Sequence, residues 1–274
     1  MISTGIIGTG KVAHLHAAAL QRNPNSNFTA VLGRTPERTQ AFADQYGVTA
    51  YTDLDAYLKE SGVQASTVCT PHPAHVDSAV AAAESGMHLL IEKPLASSLE
   101  HCDAMLAAAK KGNAILGMCC QRRFYEPVVR VKEAVEAGKI GKPILGMVTM
   151  LGWRDQDYYD SDPWRGSWSE EGGGVLVNQA VHQLDLLLWF MGEVDELCGM
   201  WGNLNHPGIE VEDTAVASLR FKNGAMGHIL VSNSFNPALF GKVSVLGSPE
   251  PRSVFRRTVA RCSFLEWLPL PNRP

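Results

Sequence analysis

Between residue 2 and about residue 120, short apolar runs alternate with stretches whose apolar positions recur at helical spacing, as βαβ units require. Runs at 2–7, 28–32, 49–50, 65–69, 87–91 and 114–118 read as strands. The stretches 11–22, 36–46, 53–60, 73–85 and 98–110 read as the helices between them. Strands of a parallel sheet are covered on both faces, so they show as continuous apolar runs. After residue 121 the rhythm changes. A helix over 125–137 stops at Gly138, and another over 175–191 stands among longer extended segments at 143–153, 194–204, 214–221, 225–232 and 242–246. Their lack of intervening helices predicts an antiparallel sheet, and Asn223-Gly224 between two of them is a hairpin signal. The expected class is α/β over 1–120 followed by an α+β domain over 121–274 with an open, mainly antiparallel sheet. From Ser248 onward periodicity is lost and arginines and prolines accumulate, so 248–274 reads as an aberrant or truncated tail.

Bulk composition narrows the class. A chain of 274 residues has room for two ordinary domains, and 45% hydrophobic with 19% charged residues is a globular balance. A net charge of −4 argues against a dedicated nucleic-acid surface. The longest apolar runs are too short to span a bilayer, and the N-terminus has no cationic region of a signal peptide. None of the six cysteines has metal-ligand or secreted-framework spacing, and Cys119-Cys120 reads as buried free thiols. These features predict a cytoplasmic protein with no membrane or nucleic-acid partner.

Chemistry enters at two loops. Gly8-Thr9-Gly10-Lys11-Val12-Ala13 lies between a strand and a helix, where the dinucleotide fingerprint belongs. Gly8 permits the tight turn, Gly10 lets the backbone approach a pyrophosphate, and the helix N-terminus at Lys11 and Val12 offers free amides. The first domain is therefore expected to be a Rossmann domain that binds NAD or NADP. After the second strand comes Gly33-Arg34-Thr35, with Arg38 one turn on. No carboxylate stands there to repel a 2′-phosphate, while Arg34 can pair with it, so NADP is the preferred expectation. The second loop is Glu92-Lys93-Pro94, which closes the apolar run 87–91. It delivers an ammonium and a carboxylate to the carboxyl end of the sheet, where open α/β folds bind ligands.

Several blocks together carry a family likeness: Gly8-Thr9-Gly10, Thr70-Pro71 with His75, Glu92-Lys93-Pro94, Gln121-Arg122-Arg123-Phe124, and the tract from Gly172-Gly173-Gly174 through Asn178 and His182 to Asp185. Over residues 2 to about 247 the chain resembles the glucose–fructose oxidoreductase / inositol dehydrogenase / MocA-type family. The resemblance implies oxidation of a sugar or cyclitol hydroxyl, or reduction of the matching ketone. It also implies homodimers or homotetramers packed through the C-terminal sheet. Lys93 matches the family's active-site lysine and His182 its catalytic histidine, while Asn178 stands where many members carry aspartate. The tract Trp153-Arg154 to Trp164-Arg165-Gly166 looks most like members acting on sugars or nucleotide-sugar acids. The family also contains a non-catalytic dinucleotide-binding regulator, which is the alternative function.

Read as chemistry, Asn178, His182 and Asp185 are spaced by four and three, which would place them on one face of a single helix. His182 begins near the pKa a general base needs, and Lys93 can polarise the reacting oxygen. Asn178 and Asp185 are expected beside substrate, with no metal. Arg154, Tyr158, Trp164 and Arg165 form a polar-aromatic loop suited to stacking on a sugar and pairing with an acid or phosphate. Thr70, Pro71, His75 and Glu92 are assigned to the cofactor, His75 to its nicotinamide ribose.

Overall fold

In a computed structural model, residues 1–239 and 241–248 and the backbone of 259–264 are described. The chain divides into two compact units, Met1–Cys119 and Cys120–Pro274. In the first, β1 (Ile2–Ile7), β2 (Ser26–Leu32), β3 (Thr49–Tyr51), β4 (Ala65–Val68), β5 (His88–Ile91) and β6 (Leu116–Met118) form one sheet. Its order is β3-β2-β1-β4-β5-β6. Every neighbouring pair is parallel. Strand order reverses between β1 and β4, the switch point at which such sheets bind ligands.

Helices α1 (Lys11–Arg22), α2 (Pro36–Tyr46), α3 (Leu54–Glu60), α4 (His75–Glu84) and α5 (Leu99–Lys111) connect these strands. Successive residues of β1 serve opposite faces. Ile6 packs with Ala13, Ala17, Phe42 and Ala43 of α1 and α2. Ile7 belongs to the core that holds Ala79, Ala82, Met105 and Ala108 of α4 and α5. The small alanines let helix backbones lie close against the sheet. Before α4, a 3₁₀ turn at His72–Ala74 takes the place of its expected first residues.

The second unit contains α6 (Glu126–Glu136), β7 (Pro143–Leu151), α7 (Gln156–Asp160), α8 (Val181–Met191), β8 (Val194–Gly202), β9 (Thr214–Phe221), β10 (Met226–Ser232), β11 (Gly241–Gly247) and β12 (Val259–Phe264). The sheet order is β12-β11-β7-β10-β9-β8. It is mixed: β7 and β10 run parallel, from Leu145↔Met226 to Leu151↔Ser232, and the other pairs are antiparallel. The parallel pair joins strands far apart in sequence, across α8 and two further strands, so no local pattern announces it. β9 and β10 are joined by the expected Asn223-Gly224 turn, with Gly224 at φ 85°. Leu186, Leu187, Phe190 and Met191 of α8 form the core with Val148 and Met150 of β7 and Val243 and Val245 of β11.

Two sequence expectations change. β12 pairs with β11 inside the stretch read as an aberrant tail; the rest of that tail after Ser248 lies outside the described residues. The single helix expected over 175–191 is instead a π-helical turn, Val175–Gln179, followed by α8. The Ala180 amide reaches back five residues to Val175 O at 2.8 Å. The cause lies in the strand-side segment ahead of β9. Glu212 accepts from the amides of Gly174 (2.8 Å) and Leu176 (3.0 Å), and its carbonyl takes Val175 N at 2.9 Å. A Cβ on Gly174 would stand 1.8 Å from that carbonyl oxygen. Gly174→Ala should therefore lower stability by about 3 kcal/mol, the upper end of the usual overpacking range, measured as a shift in urea midpoint at unchanged m-value.

Candidate active site

The first unit supplies a phosphate cradle. Gly8 sits at φ 106°, and a Cβ there would lie 2.8 Å from the carbonyl carbon of Cys69, at the end of β4. The loop therefore hugs the sheet edge only because Gly8 lacks a side chain. α1 begins beyond Gly10 with no side-chain cap, which leaves its first-turn amides to an anion. Lys11, Arg34 and Arg38 are exposed on the elements around this loop, while Val12 is half-buried.

At the end of β5, the Glu92 amide donates to Val68 O (3.0 Å). The Glu92 side chain bridges two groups. Oε2 accepts from the Lys93 backbone amide at 3.2 Å, and Oε1 lies 2.8 Å from His16 Nε2. Burial pushes the Glu92 carboxyl up, but the His16 bond and charge, with the Lys93 amide and ammonium, outweigh it and hold the group below its ordinary value. Lys93 itself is half-buried beside this bridge.

His75 departs from its expected role. It is fully buried. Its Nδ1 lies 3.1 Å from Pro94 O and 3.3 Å from Leu95 O, and its Nε2 lies 2.9 Å from Thr70 O. Burial pushes its pKa down against the pull of those carbonyls. Wedged between backbone carbonyls and withdrawn from solvent, His75 links the Thr70-Pro71 loop to the Lys93-Pro94 loop and presents no face to a ribose. Thr70 is half-buried and Pro71 exposed at this rim.

The second unit gathers its candidate residues on and around the π turn. Asn178 is 7% exposed. Its amide nitrogen donates to the Glu171 carboxylate and, at 3.0 Å, to Tyr158 Oη. Gln179 Nε2 (2.9 Å) and Arg165 Nη1 (2.7 Å) donate to the same phenolic oxygen. Gln179 is oriented by Asn233, whose amide donates to its oxygen at 2.9 Å. Three donors converge on a hydroxyl oxygen with two acceptor lone pairs, so its acceptor capacity is fully used. Tyr158, expected on the substrate, is thus the hub of a buried network, its pKa raised by burial against the pull of Arg165 and Arg154. Arg165 also donates to Asp162 (3.1 Å) and lies 4.5 Å over the Tyr158 ring and 4.4 Å over that of Trp164. Arg154 also lies over the Tyr158 ring, at 5.1 Å.

His182, half-buried, stands in the first turn of α8. Asp185, one turn further, receives Arg123 Nε at 2.8 Å and Nη2 at 2.5 Å. Arg123 engages both carboxylate oxygens, so Asp185 ties α8 to the Gln121–Phe124 turn, a role the sequence did not assign to it. Sequence reasoning also missed the buried His206–Asp213 pair. His206 Nδ1 is 2.8 Å from Asp213 Oδ2, and its Nε2 is 2.8 Å from Arg154 O. Burial raises the Asp213 carboxyl, yet His206, the Leu204 and Asn205 amides and Ser234 together hold it below its ordinary value. An acidic pair just ahead of an apolar strand, Glu212-Asp213, was the available signal.

Residues 2–119 match the oxidoreductase family with an NAD-binding Rossmann fold, and residues 128–249 match the GFO/IDH/MocA C-terminal domain. The chain belongs to the GFO/IDH/MocA oxidoreductase family. It is similar to the uncharacterized oxidoreductase YrbE of Bacillus subtilis, at 31% identity over 90% of this chain and 72% of that protein. It is likewise similar to myo-inositol 2-dehydrogenase of Thermotoga maritima, at 30% identity over 89% of this chain and 72% of that protein. Among solved structures it resembles the WlbA dehydrogenase of Bordetella pertussis in complex with NADH and UDP-GlcNAcA (32% identity, TM-score 0.84, 90% of this chain and 76% of that one). These relatives lend no support to the non-catalytic alternative. Nicotinamide dinucleotide is therefore the cofactor class, and the GFO/IDH/MocA fold supplies the setting in which Lys93 and His182 are placed.

The Arg123–Asp185 geometry makes a specific prediction. Asp185→Asn should cost about 1 kcal/mol of stability, as expected for a partly exposed bidentate pair. It should leave substrate KM within twofold, read by thermal melts and steady-state kinetics. A KM raised tenfold at unchanged stability would put Asp185 on the substrate after all.

Proposed function

We propose that the chain transfers hydride between a nicotinamide cofactor and a hydroxyl or keto carbon of a sugar, cyclitol or nucleotide-sugar. The observation that carries this reading is in the first unit alone: a loop without room for a Cβ and an uncapped α1 lie at the same carboxyl edge as a lysine whose backbone is pinned by Glu92. These residues suit a dinucleotide. Gly8 and Gly10 would admit its pyrophosphate, the α1 amides would bind it, and Thr70, Pro71 and Glu92 would line the nicotinamide end. When bound, the cofactor supplies the hydride acceptor or donor.

The chain's own residues then handle the proton. His182 takes it from the carbinol during oxidation, and Lys93 polarises the same oxygen and relays the proton. Asn178, its amide nitrogen held by Glu171 and Tyr158, turns its amide oxygen to the reacting region. Arg154 and Trp164 give the substrate a guanidinium and an aromatic face, which favours a sugar bearing an acid or phosphate. The relatives named above, acting on an inositol or crystallised with a nucleotide-sugar, support this class. Exposed Leu197 (66%), Met200 (74%) and Trp201 (63%) on β8 support a homodimer or homotetramer through this sheet. Cys69, Cys102 and Cys198 are free thiols, which suits a cytoplasmic setting. No described helix is long and apolar enough to cross a membrane.

A screen of sugars, cyclitols and nucleotide-sugar acids for cofactor reduction tests the reading; tight cofactor binding without turnover of any of them would overturn it. With a substrate in hand, Lys93→Ala and His182→Ala should each slow single-turnover hydride transfer by about 10²-fold or more, the usual scale of acid–base assistance. Unchanged rates in both would remove the assignment.

The cofactor choice is a finer proposal. Arg34 and Arg38 are exposed where the second strand meets α2, and we assign them to a 2′-phosphate, so that NADP is preferred to NAD. Arg34→Asp should reverse the ratio of kcat/KM values for the two cofactors. A wild-type preference for NAD of tenfold would contradict it.

A further inference from the structure

The carboxyl edge of the first sheet carries a second chemical grouping, built from three distant segments. His16 comes from the middle of α1, Glu92 from the end of β5 and Cys119 from the end of β6. A ring nitrogen, a carboxylate oxygen and a thiol sulfur lie within 4.8 Å of one another. Cys119 is fixed there by its amide, which donates to Ile91 O at 2.7 Å. His16 and Glu92 are nearly withdrawn from solvent, with side chains 12% and 15% exposed. Nitrogen, oxygen and sulfur together form the donor set that zinc-like cations take up.

We propose that His16, Glu92 and Cys119 form a binding site for a soft divalent cation of the zinc type, whose occupation draws Glu92 away from Lys93. Tetrahedral coordination at ordinary metal–ligand lengths sets such donor atoms about 3.5 Å apart. The 2.8 Å His16–Glu92 contact must open slightly and the sulfur must close by an ångström or so, within the reach of side-chain rotation. The cation replaces the proton now shared between imidazole and carboxylate. The imidazole ligates through Nε2 and keeps its proton on Nδ1, so the proton held between His16 and Glu92 and the Cys119 thiol proton both pass to solvent. Thiolate and carboxylate then balance the divalent charge. Three protein ligands leave a fourth position to water, the pattern of open sites. Cys69 is not a ligand: burial pushes its thiol up to about 12, and it stays protonated in the core.

The functional consequence follows from the second oxygen of Glu92, which accepts from the Lys93 amide. A carboxylate turned toward a cation gives up that bond and loosens the backbone beneath Lys93. This link to turnover rests on the proposed role of Lys93, whereas the binding itself does not. The full chain with its cofactor is therefore titrated with Co²⁺ and followed by absorption, then with Zn²⁺ and followed by turnover. One equivalent of Co²⁺ should produce a near-ultraviolet thiolate-to-cobalt band that Zn²⁺ abolishes. Cys119→Ser, folded by circular dichroism, should lose the band, and His16→Gln should weaken Co²⁺ binding at least tenfold. Stoichiometric Zn²⁺ should slow wild-type turnover at least fivefold and Cys119→Ser less than twofold. Absence of the band, or its survival in Cys119→Ser, overturns the site. A band that depends on Cys119 without inhibition upholds the site and overturns its link to Lys93.

Discussion

Backbone amides at the buried ends of elements need partners, and in this chain carboxylates provide them where the candidate chemistry sits. Glu212, 2% exposed, holds the amides that open the π turn. Glu171, 1% exposed, takes the Gly166 amide at 2.6 Å with one oxygen and the Asn178 amide with the other. In the first unit Glu92 does the same for Lys93. Bonds from a backbone amide to an ionised acceptor are roughly twice as strong as neutral ones. Each therefore fixes a stretch of backbone whose neighbouring side chain is left to act. Lys93 follows Glu92 directly, Asn178 lies within the turn that Glu212 anchors, and His182 follows it.

This arrangement alters the meaning of Asn178. An amide in place of a carboxylate removes a charge that would orient and strengthen a basic histidine. The charge has not gone far, because Asn178 is bonded to the Glu171 carboxylate. The residue thus links a buried anion to the Tyr158 hub, around which Arg165 and Gln179 also close. The polar-aromatic loop owes its shape to this hub, and only part of it, Arg154 and Trp164, remains assigned to substrate.

The first unit was legible because parallel strands buried on both faces leave continuous apolar runs, and glycine-rich turns mark the points between them. The same reasoning singled out Gly8, whose φ and close approach to Cys69 are seen in the fold, and it proposed Lys93 and His182, whose residue types have few packing reasons to stand where they do. Other features depend on contacts between segments far apart in sequence. The π turn arises because Glu212 approaches Gly174 across 38 residues, so a helical pattern over 175–191 gives no sign of it. The parallel β7–β10 pairing is set by the path of the whole second unit. His75 and Tyr158 carry residue types that suit ligand contact. Their burial and saturated hydrogen bonding appear only once the chain is folded.

The central claim is that this GFO/IDH/MocA oxidoreductase moves hydride between a carbinol carbon and nicotinamide. Its most direct test is label transfer: the protein is incubated with NADP and a mixture of carbon-deuterated cyclitols, sugars and nucleotide-sugar acids, and the recovered cofactor is analysed by mass spectrometry. Deuterium at C4 of the nicotinamide, absent when Lys93→Ala and His182→Ala are combined, is the predicted result. Cofactor that binds tightly yet returns unlabelled from every substrate class would contradict the account.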